Sequence, residues 1–435
     1  MLTILANRTY RHLFAAQVIA LVGTGLATVA LGLLAWQIAG DEAGRVLGTA
    51  LAIKMMAYVV LAPIASAFAT TVPRRMMLVA LDLMRAAVAL ALPFVSEVWH
   101  VYFLIFLLQA ASAGFTPTFQ ATIPDVLPNE ADYTRALSLS RLAYDLESLL
   151  SPMLAAALLT IVTFQDLFVG TVIGFLVSAL LVMTVALPAP KLTAVGGIWN
   201  RTTRGIRLYL ATPRLRGLLT LNLSVAAAGA MVIVNTVVFV KGRFGLGETE
   251  VALALAAFGG GSMVAALLLP RLLDSLADRP PMLAGVMILT VGLAIGPFVG
   301  SLVELMALWL MIGFGYSLTQ TPTGRLLRKS ANAEARPALF AAQFALSHAC
   351  WLVTYPLAGL VGARFGLETT FLVLAALAAT GLFLAIRFWP DDALSMVSHS
   401  HDDLPSDHPH LREHGPNHCH EMIYDDLHRH MNSRR

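Results

Sequence analysis

Long apolar runs, one after another, decide what this chain can become. Stretches at roughly 13–38, 46–70, 77–95, 101–122, 138–163, 167–187, 217–240, 250–270, 282–300, 302–322, 338–362 and 369–389 are almost free of charge. About 20 such residues cross a bilayer as a helix. In hydrocarbon every backbone N–H and C=O must be bonded within the segment. The runs are continuous rather than alternating, which excludes a β-barrel and predicts an all-α membrane protein of twelve transmembrane helices. Composition agrees: the 435 residues are 57% hydrophobic and 13% charged, too little charge to wet a soluble protein of that length.

The first run follows Arg8 and Arg11, is too long for a signal-peptide core, and no convincing cleavage site follows it. It therefore reads as a retained span. An even number of spans puts both ends on one side. With that side cytoplasmic, nineteen lysines and arginines before the tail fall on inner segments, and four (Arg45, Lys241, Arg243 and Arg364) on outer loops. Such a bias marks the inside. The expectation is a multi-pass protein of a bacterial cytoplasmic (inner) membrane with cytoplasmic N- and C-termini. Two cysteines, Cys350 and Cys419, cannot build a disulfide framework.

The runs divide six and six. Residues 1–187 form an N-terminal six-helix half, 188–216 a basic linker, 217–389 a C-terminal six-helix half, and 390–435 a tail read as disordered. The linker's six basic residues and lack of acidic ones suit headgroups and topology rather than nucleic acid. Internal repetition supports two pseudo-symmetric halves. The fourth run ends Gly114-Phe115-Thr116-Pro117-Thr118 and the tenth Gln320-Thr321-Pro322-Thr323; Pro152 and Pro356 then recur in the following spans. The offset is about 204 to 205 residues, a pattern typical of secondary transporters.

These features resemble the major facilitator superfamily over roughly the first 390 residues. That family's signature between spans two and three is a glycine, then Asp-Arg, then a basic pair. Here the first copy, Thr70-Thr71-Val72-Pro73-Arg74-Arg75, keeps the basic pair and lacks the acid, while the second keeps Asp278-Arg279. The segment Ile123-Pro124-Asp125-Val126-Leu127-Pro128, with Arg135-Ala136-Leu137-Ser138 beyond it, is similar to the branch holding siderophore exporters and nickel-resistance exporters. The resemblance implies the superfamily fold, gradient-driven transport, and a cavity faced by spans one, four, seven and ten. No phosphate-binding loop of the ATPase kind is present, and nothing suggests an enzyme.

Ionisable groups inside spans are costly and hence functional candidates. Lys54 lies in span two; Asp82 and Arg85, at i,i+3 in span three, are spaced to pair, either as a structural tie or as a gating link. Span five holds the densest polar cluster: Arg141, Tyr144, Asp145, Glu147, Ser151 and Pro152. Arg141 and Asp145 form an i,i+4 pair, leaving Glu147 without an obvious helical partner and the better site for a proton or cation. Aligning the prolines sets His348 of span eleven at the position of Tyr144, with Cys350 two residues on. Imidazole and thiolate suit nickel, cobalt, zinc and copper, although single buried His and Cys residues more often serve packing. Gln109 and Asn222 are further cavity candidates, and Asp278 and Arg279 further gating candidates. Amides also join helices.

Nine of the twelve histidines lie in the last 37 residues. They make four His-x-His units, His399/His401, His408/His410, His418/His420 and His428/His430, with His414 and Cys419 between them. Prolines, acidic residues and few apolar ones argue against a packed core. In an extended chain His-x-His projects both rings to one side, so the tract reads as metal binding and favours later first-row divalent ions.

Together these residues point to a proton-coupled exporter of divalent transition-metal ions, with the metal as substrate and tail ligand and no tightly bound cofactor. Its partners are membrane lipid, metal ions and protons, with no nucleic acid. Nickel, ahead of cobalt or zinc, rests on the resemblance to nickel-resistance exporters, which share a His-rich tail. Two alternatives stand beside it: an exporter of an organic molecule, siderophore or drug, with a metal-sensing tail, and a membrane metal sensor that transports nothing.

Overall fold

The computed structural model describes residues 2–68, 73–188, 198–273, 277–330, 336–389, 396–400 and 417–421. Helices dominate it. The first half comprises α1 (Arg8–Ala39), α2 (Ala43–Phe68), α3 (Arg74–Ala91), α4 (Val98–Val126), α5 (Glu130–Leu158) and α6 (Phe164–Met183). A shorter helix, α7 (Ile198–Ala211), lies in the basic linker. The second half comprises α8 (Pro213–Val237), α9 (Glu248–Leu273), α10 (Arg279–Ile295), α11 (Leu302–Gln320), the short α12 (Thr323–Lys329) and α13 (Arg336–Phe388). The last is two spans in one continuous run: Gly366 breaks it with φ of +83°, a left-handed conformation only glycine adopts without strain.

Among the described residues, nine helical stretches are long and apolar enough to cross a bilayer. Two of them, Arg8–Leu61 and Ala342–Phe388, each contain two helices, which makes eleven; α5, too polar to qualify by hydropathy, is the twelfth. The charged cluster of span five accounts for the exception. The chain is thus the expected all-α membrane protein, with helix ends within several residues of the apolar runs. Turn chemistry sets those ends locally: Pro213 opens α8, Ser301 caps α11 by accepting from the Glu304 N–H at 3.3 Å, and Thr163 and Asp166 cap α6 reciprocally.

Each half packs through small residues. On α1, Gly23 meets Thr171 of α6, whose hydroxyl donates to the Gly23 carbonyl at 2.7 Å. In the second half Ser224 of α8 donates to the Ala378 carbonyl at 2.8 Å. Hydroxyl and glycine pairs of this kind hold membrane helices where no hydrophobic force separates them from lipid. The halves join along two seams, α2 against the first span of α13 and α5 against α9.

At the end of the bundle away from the linker, the first of these seams is closed to backbone contact. A Cβ on Gly48 would lie 2.5 Å from the Tyr355 carbonyl oxygen, and one on Gly359 would lie 2.4 Å from that of Gly44. On the linker side α7 docks onto the second half, where its buried Tyr209 donates to Gln343 Oε1 at 2.5 Å. In the tail, β1 (Met396–Ser400) pairs antiparallel with β2 (Asn417–Glu421).

Candidate translocation site

Two ion pairs close the linker-side ends of the halves. Arg74, at the start of α3, binds Asp125 at the end of α4. Asp278, just before α10, accepts from Arg325 Nε at 2.5 Å and Lys329 Nζ at 3.0 Å, both on α12. The repeat offset relates them: 278 minus 74 is 204, and 329 minus 125 is 204. Each half therefore carries the same bond at the same place with its charges exchanged. The acid missing from the first signature copy stands on α4 instead, as Asp125. The 204-residue offset applied to Lys329 points straight to it, a signal that reading the motif alone passed over. Arg279 donates to the Trp389 carbonyl at 2.8 Å and so ties α10 to the end of α13.

Reversing either charge, by Arg74→Asp or Asp125→Arg, is expected to lower transport about tenfold, because each leaves a half-buried charge facing its like. Making both changes together is expected to restore most of it. Transport by the three variants at equal membrane levels is the measurement; a double variant no better than the singles counts against the exchange.

Asp82 and Arg85 do pair on α3. The Ser178 hydroxyl donates to Asp82 at 2.7 Å, and the guanidinium is sandwiched by the rings of Phe115 and Phe175, at 4.1 and 4.5 Å from their centroids. Both are buried. Walled in by aromatic rings, the pair ties α3 to α4 and α6.

Among the described residues, half-buried titratable groups from α2, α5 and α13 lie near one another. Lys54 on α2 lies within electrostatic reach of Glu147 on α5 and of His348 on α13. Tyr58, one turn beyond Lys54, lies beside Ser112 of α4 and close to Tyr144 and Glu147. Its ring stands 5.4 Å from that of His348. The His348 Nδ1 is 2.6 Å from the Phe344 carbonyl oxygen. A carbonyl only accepts, so Nδ1 carries the proton and Nε2 keeps its lone pair for another partner. Phe344, 3.9 Å away by ring centroids, fixes the imidazole plane.

Two further features shape this site. A cavity of about 30 Å³ beside Lys54 is lined by Thr24, Thr28, Gln109 and Ser112 together with apolar side chains. That is room for a water or two, not for an organic molecule. On α1, Gly25 abuts Glu147 and Ser151: a Cβ there would lie 2.9 Å from Glu147 Oε1 and 2.0 Å from Ser151 Oγ. Glycine at 25 is what lets α5 bring its carboxylate this close to α1.

Of the expected path residues, Glu147, Tyr144, His348 and Gln109 therefore gather around Lys54. Others fall elsewhere. His348 and Cys350, two residues apart, are about 200° apart around a helix; Cys350 faces Tyr209 of α7 instead of the seam. The two cannot act as neighbouring ligands. Asn222 accepts from Gln320 Nε2 at 3.1 Å and donates to the Leu218 carbonyl at 3.0 Å, pinning α8 to α11. The side chains of Asp145 and Arg141 lie outside the described residues. Tyr58 and Ser112 were not foreseen, although the i,i+4 spacing of Lys54 and Tyr58 sets them on one face of α2.

In the tail, the β1–β2 register sets His399 opposite His418, Ser398 opposite Cys419 and Val397 opposite His420. His401, His408, His410, His414, His428 and His430 lie outside the described residues. Among the described residues no three His, Cys, Asp or Glu side chains converge to hold a metal ion.

The model of the Major Facilitator Superfamily matches residues 13–239 and 218–403. No curated protein matches the chain. Among solved structures, a bacterial homolog of the human lysosomal transporter Spinster, inward-facing and unoccupied, superposes with a TM-score of 0.69 at 12% identity, covering 88% of this chain and 97% of that one. A D-xylose-proton symporter gives 0.67 at 14% identity, with 88% and 98% covered. The nucleoside transporter NupG gives 0.65 at 13% identity, with 88% and 100% covered. At such identities the likeness is one of fold.

Proposed function

The chain belongs to the major facilitator superfamily, and from that premise we propose that it is a proton-coupled exporter of divalent transition-metal ions, nickel first and cobalt or zinc behind it. That it is a transporter, and not an enzyme, follows from the family. The metal is the proposal, and the observation that carries it is the tail: nine histidines in 37 residues, in four His-x-His units. Imidazole at that density is a ligand set for later first-row ions. Similarity to the nickel-resistance branch puts nickel ahead of the others. Outward direction rests on the same resemblance and on the charge bias, which supports an inner-membrane protein with its linker side and tail in the cytoplasm. The tail would then gather ions at the inner mouth.

Glu147 and His348 are the proposed cargo contacts, since they belong to opposite halves and both lie within electrostatic reach of Lys54. A site shared by two rocking halves can be offered to each side in turn. With the far side closed at Gly48 and Gly359, this structure fits the state that loads from the linker side. Protons moving inward would supply the driving force.

A second reading, export of an organic molecule by a carrier with a metal-sensing tail, is favoured by one observation. Lys54, a cation, sits in the middle of the site, and the solved neighbours include carriers of nucleosides and of xylose. A membrane sensor that transports nothing accounts for the tail but leaves the paired charges at mid-span without a use.

Cellular nickel, cobalt and zinc, measured in metal-sensitive bacteria, separates these. The intact protein is expected to lower nickel. Deleting the residues after Asp391 is expected to reduce resistance at intermediate metal without abolishing export, because a floppy binder tunes local concentration at an entropic cost. Unchanged metal content with the protein confirmed in the membrane overturns the metal reading in favour of the organic one.

A further inference from the structure

A bare dication and the site around Lys54 are mismatched. A transition-metal ion crossing without its water needs four to six donor atoms. Among the described residues the site offers two good ones, the Glu147 carboxylate and the His348 Nε2 lone pair, and no third His, Cys, Asp or Glu joins them. Lys54 lies within electrostatic reach of both. An ammonium has three donors and no lone pair to give a metal. It repels a dication at short range, the more so in a medium of low dielectric.

The rest of the site is built for hydrogen bonding. Tyr144 and Ser112 bring hydroxyls to Tyr58, one turn from Lys54, with Glu147 in reach. An ammonium flanked by hydroxyls is a carboxylate receptor, held by charge-assisted hydrogen bonds. Arg85 does not compete for that role, being bonded to Asp82 and closed between Phe115 and Phe175. The cavity of about 30 Å³ next to Lys54 is too small for an organic anion. A chelate is therefore received only when the halves part further around Lys54 than they do here.

We infer that the cargo enters as a complex of a divalent transition metal with a small carboxylate-bearing chelator, Lys54 binding a chelator carboxylate while Glu147 and His348 face the metal. This rests on the metal-exporter reading and names the form in which the ion travels. The chelator supplies donors beyond the two that the described residues offer, and its negative charge cancels the repulsion between the dication and Lys54. One site then holds an amine, a carboxylate and an imidazole without conflict. Lys54 is the residue that decides between a complexed and a free ion.

The test uses inside-out vesicles from cells making the full-length protein, with a proton gradient imposed. Radiolabelled nickel is supplied alone, with radiolabelled citrate, or with radiolabelled histidine. The expected result is that nickel and one of the two chelators accumulate together in fixed ratio, each depending on the other. Lys54→Met is expected to cut that joint uptake about tenfold or more, the loss of one charge-assisted hydrogen bond, whereas Lys54→Arg keeps most of it. Rapid uptake of nickel alone, unchanged by either chelator and with neither chelator entering, overturns the inference and leaves the metal exporter standing. Uptake of a chelator without nickel, or of nothing at all by protein shown to be inserted, overturns the exporter reading and this inference with it. A Lys54→Met protein that carries the complex as well as the parent removes Lys54 from the role.

Discussion

Glu147→Gln is expected to abolish the proposed metal export while the protein still reaches the membrane. The substitution keeps the volume and the hydrogen-bonding shape of the side chain and removes only its charge, so Gly25 and Ser151, which abut it, are not disturbed. What it does disturb is the balance with Lys54, the cation within reach on α2. The Lys54 ammonium then lies within the span without that opposite charge nearby, which is expected to slow transport about tenfold or more. The cargo also loses the single acidic group that the described part of the site offers it. Nickel content of cells expressing the variant should rise to that of cells with no exporter, and Glu147→Asp should recover part of the difference. Because a structural defect would also lower export, membrane abundance and melting of the detergent-solubilised protein belong beside the transport measurement. A Gln variant that folds and exports like the parent moves the translocation site away from α5.

How far the sequence alone reached follows from what membranes penalise. Twelve spans were legible because uncharged runs of that length admit one solution in lipid, and even the break in α13 was visible as the gap between two runs near Gly366. Lys54, Glu147 and His348 stood out for the same reason: an ionisable residue at mid-span is costly enough to need a cause. Their convergence was not legible, since it depends on how α2, α5 and α13 are rotated about their axes, and sequence spacing constrains that only within one helix. Helical spacing alone could have separated His348 from Cys350. Grouping them by proximity in sequence overlooked the 200° between their directions, and the structure turns Cys350 toward Tyr209. The Arg74–Asp125 bond was missed for a different reason. The motif led attention to a fixed position, whereas the physical requirement is only that opposite charges join the ends of α3 and α4, and either helix can supply the acid. Asn222 shows the limit of composition: an amide in a span can line a cavity or join helices, and only its bond to Gln320 decides for the second.

The far-side seam yields the other large effect. Gly48 and Gly359 allow α2 and α13 to touch backbone to backbone, with a Cβ at 48 only 2.5 Å from the Tyr355 carbonyl oxygen and 3.3 Å from the Gly359 Cα. Neither atom can move aside as the end of a flexible side chain can. Leucine at 48 must therefore hold the helices apart wherever this seam is closed, while the state with the far side open has no such contact to lose. Overpacking of this kind costs about 1–3 kcal/mol or more, and a carrier that spends comparable time in two states is shifted about tenfold to a hundredfold by it. Gly48→Leu is accordingly expected to hold the protein with its far side open and to stop the cycle, with Gly48→Ala intermediate. Export alone does not distinguish a trapped carrier from a damaged one, but accessibility does. In a background of Cys350→Ser and Cys419→Ser, a cysteine replacing Ala358, fully buried next to the seam, should react slowly with a membrane-impermeant thiol reagent added on the far side. In the Gly48→Leu protein it should react at least about tenfold faster. Equal reactivity in both proteins means that the seam does not open during transport, and alternating access must then be sought at the α5–α9 contact instead.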